Sequence, residues 1–148
     1  MEQQTRKQTE EALAEVYRNA QLALQSIADI TPLVEDEEVK AELASQHESY
    51  EQICARAAIL AKDKSIELKE PNFMKKAMMW GSIKMSALTD NSRAHIADMM
   101  LQGTVMGITA LRKTKSELSV EGDDEIIQLL SDMLDMEEKF EKVWKEYL

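Results

Sequence analysis

From Val39 the chain repeats a seam residue at alternating steps of four and three: Val39, Leu43, Gln46, Tyr50, Ile53, Ala57 and Leu60. An α-helix, at about 3.6 residues per turn, brings such positions onto one face. A strand would need a period of two. Three further segments carry the same pattern. Residues 5–30 place Leu13, Tyr17, Ala20, Leu24 and Ile27 on a seam that Val16, Ala23 and Ile30 widen. Residues 92–116 offer Ser92, Ile96, Met99, Gly103, Met106 and Ala110, and residues 123–148 offer Leu129, Met133, Met136, Phe140, Val143 and Tyr147. Each rod must hide its stripe against the others.

The punctuation agrees with the seams. Thr31-Pro32 ends the first helix, because a residue before proline is pushed out of the helical region. Asp36 is a good N-cap for 36–62, and Glu35, Glu37 and Glu38 complement the positive end of its dipole. Residues 63–70 are a polar connection, and Pro71-Asn72 marks the next start. Thr89-Asp90-Asn91-Ser92 interrupts the following apolar run with capping and turn residues. Asp123, after Gly122, caps the last helix. Helices of about 25 residues are each roughly 37 Å long, so four of them match. A single rod over 73–116 would be roughly 65 Å and overhang. Residues 73–88 therefore read as a short helix between the second and third long ones. The fold expected is all-α: one domain, 1–148, built as an antiparallel four-helix bundle with an additional short helix. The residues before Thr5 read as a frayed tail.

Composition narrows the function. Hydrophobic residues are 44% and charged residues 31%, a globular balance that argues against wholesale disorder. Gly 4 and Pro 2 are too few for a turn-rich β-protein. A net charge of −10 repels a phosphate backbone and an anionic membrane, so neither nucleic acid nor membrane is an expected partner. The local exception is Lys75, Lys76 and Lys84 around Trp80. Cys54 is the one cysteine, so no internal disulfide can form. The opening MEQQTRKQTEEALAE lacks the apolar core of a signal peptide, and no run reaches the ~18 apolar residues of a membrane span. A cytoplasmic location is expected.

Bundles of this kind often hold metal in their core. Di-iron carboxylate bundles place one Glu on each of two helices and Glu-x-x-His on the other two. That constellation is missing. The second helix has Gln46, His47, Glu48 and Tyr50, and the last has Glu137-x-x-Phe140. The first has Gln21 and Gln25, and the third has Gln102 beside Gly103. Neutral amides coordinate weakly. Gln21, Gln46, His47, Gln102 and Glu137 are the candidates for a remnant site, with no cofactor expected and iron or manganese as the alternative. Gln46 reads as a buried amide that sets helix register. Glu137, one position off the seam, reads as a solvated flank. His47 and His95 read as partly buried, hydrogen-bonded histidines, and Cys54 as a small core residue. Cys54 and His47 lie about 10 Å apart along one helix, too far for proton transfer. No glycine-rich phosphate loop, Ser-His-Asp arrangement or zinc spacing is present.

Nine of the ten methionines lie from Met74 onward. Met99, Met106, Met133 and Met136 fall on seams, as core filling would place them. On the short helix, Met78, Met79 and Trp80 pack on the bundle or form a homodimer or protein-partner contact. Gly103 and Gly107, four apart, let a neighbouring helix approach closely.

The stretches AQLALQSI, ELASQHESYEQI, FMKKAMMWGSIKM and AHIADMMLQGTVMGI, in this layout, resemble ferritin-like four-helix bundles. More narrowly, they resemble small uncharacterised bacterial ferritin-like proteins with a short helix between the second and third bundle helices. Active members oxidise or store iron, or use a di-metal centre for redox chemistry. The departures from Glu-x-x-His point instead to a non-enzymatic bundle with a degenerate metal site, acting through binding or oligomerisation. The alternative is a redox or storage protein with an altered di-metal centre.

Overall fold

The computed structural model describes residues 2–69, 85–118 and 123–148, with side chains from residue 6 onward. These residues form α1 (Glu2–Ile30), a 3-10 turn (Thr31–Leu33), α2 (Glu37–Asp63), α3 (Arg93–Glu117) and α4 (Asp124–Glu146). Residues 85–89 are also helical. Among the described residues there is no strand, and no helix is long and apolar enough to cross a membrane.

The caps sit where the sequence puts them. The carboxylate of Asp36 accepts from the amide of Val39, and Asp123 accepts from Glu125 and Ile126. Ser92 Oγ accepts from His95 N, so α3 starts afresh after the break at 90–92. One long rod through this region is thereby excluded. The expected short helix at 73–88 falls mostly outside the described residues, as do Met78, Met79, Trp80, Lys75, Lys76 and Lys84. One expectation fails at the start: α1 begins at Glu2, so residues 2–4 are helical backbone and not a frayed tail.

α1 packs chiefly along α2, and α3 along α4; α1 also touches α3 and α4, and α2 touches α4. Contacts between α2 and α4 pair Gln46 with Trp144, Tyr50 with Glu137 and Arg56 with Asp132. Numbers rise on one helix as they fall on the other, so these two run in opposite directions. Charges clip both ends. Arg93 grips Asp36 through Nε at 2.7 Å, and its guanidinium holds that carboxyl below the usual range. Lys64 Nζ lies 2.6 Å from Asp123 Oδ2 at the far end.

On α2 the buried face is Val39, Leu43, Gln46, Tyr50, Ile53, Ala57 and Ala61, the expected seam except that Ala61 replaces Leu60. On α3 the expected seam holds at Ile96, with Met99 half-buried against the core, and fails beyond them. The buried residues are Ile96, Ala97, Thr104, Gly107, Ile108 and Leu111, whereas Met106 is 71% exposed and Gly103 is open. The true stripe interleaves the small residues Ala97, Thr104 and Gly107 with Ile96, Ile108 and Leu111, and Met106 does not fill the core. On α4 the face turns by one position to Ile126, Leu129, Leu130, Met133, Leu134, Glu137 and Trp144. Trp144 is completely buried, and its indole N–H donates to Gln46 Oε1 at 3.2 Å. The Gln46 amide in turn donates to Glu42 at 2.9 Å, so the buried amide is satisfied at both ends.

Trp144 is thus both the largest fully buried side chain and the partner of a core polar group. Trp144→Ala should lower unfolding free energy by about 3–5 kcal/mol. Urea denaturation followed by circular dichroism measures it, and a loss under about 1 kcal/mol would contradict this packing.

Candidate functional site

Midway along the helices the core is not filled. On α1, no residue between Ala20 and Ser26 is fully buried. Opposite, α3 carries Gly103, Thr104 and Gly107. Small side chains meeting small side chains leave a gap, and close-packed interiors rarely tolerate one without use. The gap is a pocket of about 240 Å³ between α1 and α3. Leu22, Ala23, Met99, Met100 and Met106 are among the apolar residues lining it, Asn19, Ser26 and Thr104 supply polar atoms, and Tyr50 and Glu137 complete the lining from α2 and α4.

Glu137 is the chemical centre. It is 3% exposed, so the reading of a solvated flank is overturned. The cause is helical phase: the buried face of α4 runs through Met133, Glu137 and Trp144. Tyr50 O–H donates to Glu137 Oε2 at 2.8 Å. Glu137 Oε1 is buried with no hydrogen-bond partner. Burial pushes the Glu137 carboxyl up to about 7, with the Tyr50 hydrogen bond pulling the other way. Burial also raises the Tyr50 phenol well above its ordinary value, so it stays protonated as a donor. The Tyr50 ring leans on Phe140, with centroids 5.6 Å apart.

Gly107 belongs to the same unit. A Cβ there would lie 2.9 Å from Glu137 Oε2 and 3.0 Å from Oε1. The visitor that approaches Gly107 is therefore a carboxyl from the neighbouring helix. Nothing lies within 4 Å of a Cβ at Gly103, which lines the pocket. The hydroxyls of Ser26 and Thr104 donate to the carbonyls of Leu22 (2.8 Å) and Met100 (2.7 Å). The Asn19 amide donates to the Glu15 carbonyl and carboxylate, both at 2.9 Å.

The remnant-site candidates do not converge. Gln46 faces Trp144, His47 bonds Glu51 at 2.7 Å on the outer flank, and exposed Gln102 donates to Asp98 at 3.0 Å. Gln21 is half-buried on α1 and does not line the pocket. Glu137 alone of the five is in the pocket. His95 bonds Ser86 Oγ at 2.9 Å, and Cys54 is half-buried against the core, as expected of them. Among the described residues no group of three or more His, Cys, Asp and Glu is placed to hold a metal ion. Tyr50 was legible as a seam residue, yet its spacing holds no sign that its hydroxyl meets a carboxyl on another helix. Asn19, Ser26 and Thr104 gave no signal at all. The chain matches no protein-family model, no curated protein and no solved structure.

Two measurements check this geometry. A folded-state carboxyl near 7 against about 4.5 when unfolded binds extra protons between those values. Its stabilising contribution is full below about pH 4.5 and is lost as pH rises through 7, on the order of 3 kcal/mol in all. Glu137→Gln should remove that slope, so the difference in stability between wild type and variant should fall by about this amount from pH 4.5 to 7.5. Equal slopes for both would refute the buried carboxyl. In the second, Gly103→Ala should stabilise by about 0.5–1 kcal/mol, as alanine favours helix over glycine. Gly107→Ala should destabilise instead, because its methyl displaces the Glu137 carboxyl from Tyr50. Thermal melts of the two variants test the opposite signs.

Proposed function

We propose that this chain is an antiparallel four-helix bundle of the ferritin-like kind that acts by binding a small molecule in its mid-bundle pocket, and not by di-metal redox chemistry. The opposed run of α2 and α4, the short link from α1 into α2 and the pairing of α1 with α2 and α3 with α4 support the arrangement. The observation that carries the function is Glu137 Oε1: a buried carboxyl oxygen without a partner, on a residue that lines an apolar pocket. Buried polar groups are normally satisfied, and an orphan in a cavity asks for something bound there.

A dinuclear iron or manganese centre does not fit this donor set. Hard cations need several carboxylates or imidazoles. Around the pocket, the described residues supply one carboxylate, with a phenol, an amide, two hydroxyls and methionines. We further propose that the chain works in a bacterial cytoplasm as a homodimer, with Trp80, Met78 and Met79 at the contact.

Two experiments decide between binding and metal chemistry. Ligand-observed NMR with a panel of small aromatic fragments should give hits that vanish in Gly103→Leu, which plugs the pocket. Hits that persist unchanged in that variant would place binding elsewhere. Metal analysis of the purified protein should find well under one iron or manganese per chain; near two per chain would overturn the proposal.

A further inference from the structure

We infer that the pocket takes a small primary amine, with its ammonium head on Glu137 Oε1 and its apolar body among the α1 and α3 side chains. This rests on the binding role proposed above and names the ligand class.

The polar lining is short of donors. The Ser26 hydroxyl proton goes to Leu22 O and that of Thr104 to Met100 O. The Asn19 amide nitrogen is held by Glu15, and the Tyr50 proton goes to Glu137 Oε2. A hydroxyl that donates keeps its oxygen lone pairs as acceptors. With Glu137 ionised, the pocket therefore offers lone pairs from Ser26 and Thr104 and the buried, unpartnered oxygen of Glu137. A ligand carboxylate or carbonyl would set acceptor against acceptor. An alcohol would bring one donor and no charge. An ammonium brings three donors and a positive charge, which is what a carboxylate stranded out of water lacks. Among the described residues no other charged side chain lines the pocket to compete for it: α1 presents Asn19 and Ser26, α3 presents Thr104 and methionines, and Tyr50 is the other titratable group facing Glu137. The chain's net charge of −10 also draws cations toward its surface.

Size and lining limit the body. A cavity of about 150 Å³ holds benzene, so about 240 Å³ holds an aryl or alkyl group with a short arm, about ten heavy atoms in all. Met99, Met100 and Met106 adapt readily to varied apolar shapes. Exposed Met106 and side-chain-free Gly103 leave the way in open.

Isothermal titration with 2-phenylethylamine, propylbenzene and 3-phenylpropanoate tests this. The amine should bind one to one, and the neutral and anionic probes should bind about tenfold more weakly or less tightly still. Glu137→Gln should weaken the amine by about tenfold or more while leaving propylbenzene unchanged. Gly103→Leu, which does not touch the carboxyl, should abolish binding of every probe and keeps the test open if Glu137→Gln fails to fold. Propylbenzene binding as tightly as the amine, or amine binding that survives Glu137→Gln, would overturn the amine assignment and leave the pocket as a binding site. If no probe binds wild type, the assignment and the binding role both fall.

Discussion

A single hydrogen bond between α2 and α4 organises the middle of this protein. Tyr50 reaches across to Glu137 at 2.8 Å and holds a carboxyl group out of water. Leaving a carboxyl in an apolar interior is expensive, and one phenol satisfies one of its two oxygens. The neighbours conform to that arrangement. α3 gives up a side chain at Gly107 so that the carboxyl has room, and Phe140 braces the Tyr50 ring. A structure that served stability alone would place leucine at 137, as at Leu130 and Leu134 on the same helix. The presence of an acid there marks the place where stability gives way to something else.

The packing on either side explains how the molecule tolerates this. Toward the start of α2, Trp144 fills the core and ties its indole to Gln46. Leu13, Val16, Ile126, Leu129 and Leu130 are fully buried elsewhere in the core. Ion pairs at Asp36–Arg93 and Lys64–Asp123 hold the helix ends in register. Such exposed or half-exposed pairs contribute little free energy each, so the tight apolar regions carry most of the stability. The middle, lined by Ala23, Ser26, Gly103 and Gly107, is where volume is left over. A rigid frame around an incompletely filled centre is the usual way a helical bundle makes a binding site.

How much of this could be read in advance depended on which residues bury themselves. The α2 seam was legible from Val39 to Ala57 because its buried positions are mostly large and apolar, and because Asp36 announces its start. α3 was misread by one step. Hydropathy gives weight to Met99 and Met106, whereas the helix buries Ala97, Thr104 and Gly107 along with Ile96, Ile108 and Leu111. Close approach selects small side chains, and small side chains carry a faint hydropathy signal. α4 was misread for the opposite reason. Glu137 looks solvated by its chemistry, and only its position between Met133 and Trp144 on one face betrays it.

The four long helices, their caps, the breaks at Pro32 and at 90–92 and the all-α class are legible in the chain alone, because they follow from period, local capping and the placing of proline, all short-range properties. That Tyr50 meets Glu137, that Gly107 makes room for a carboxyl and that Ser26 and Thr104 line one pocket emerges from packing alone. Those facts depend on the rotation and height at which separate helices pack, and a shift of one residue turns a helix face by about 100°. No local rule fixes that rotation; it emerges when all the stripes are buried at once.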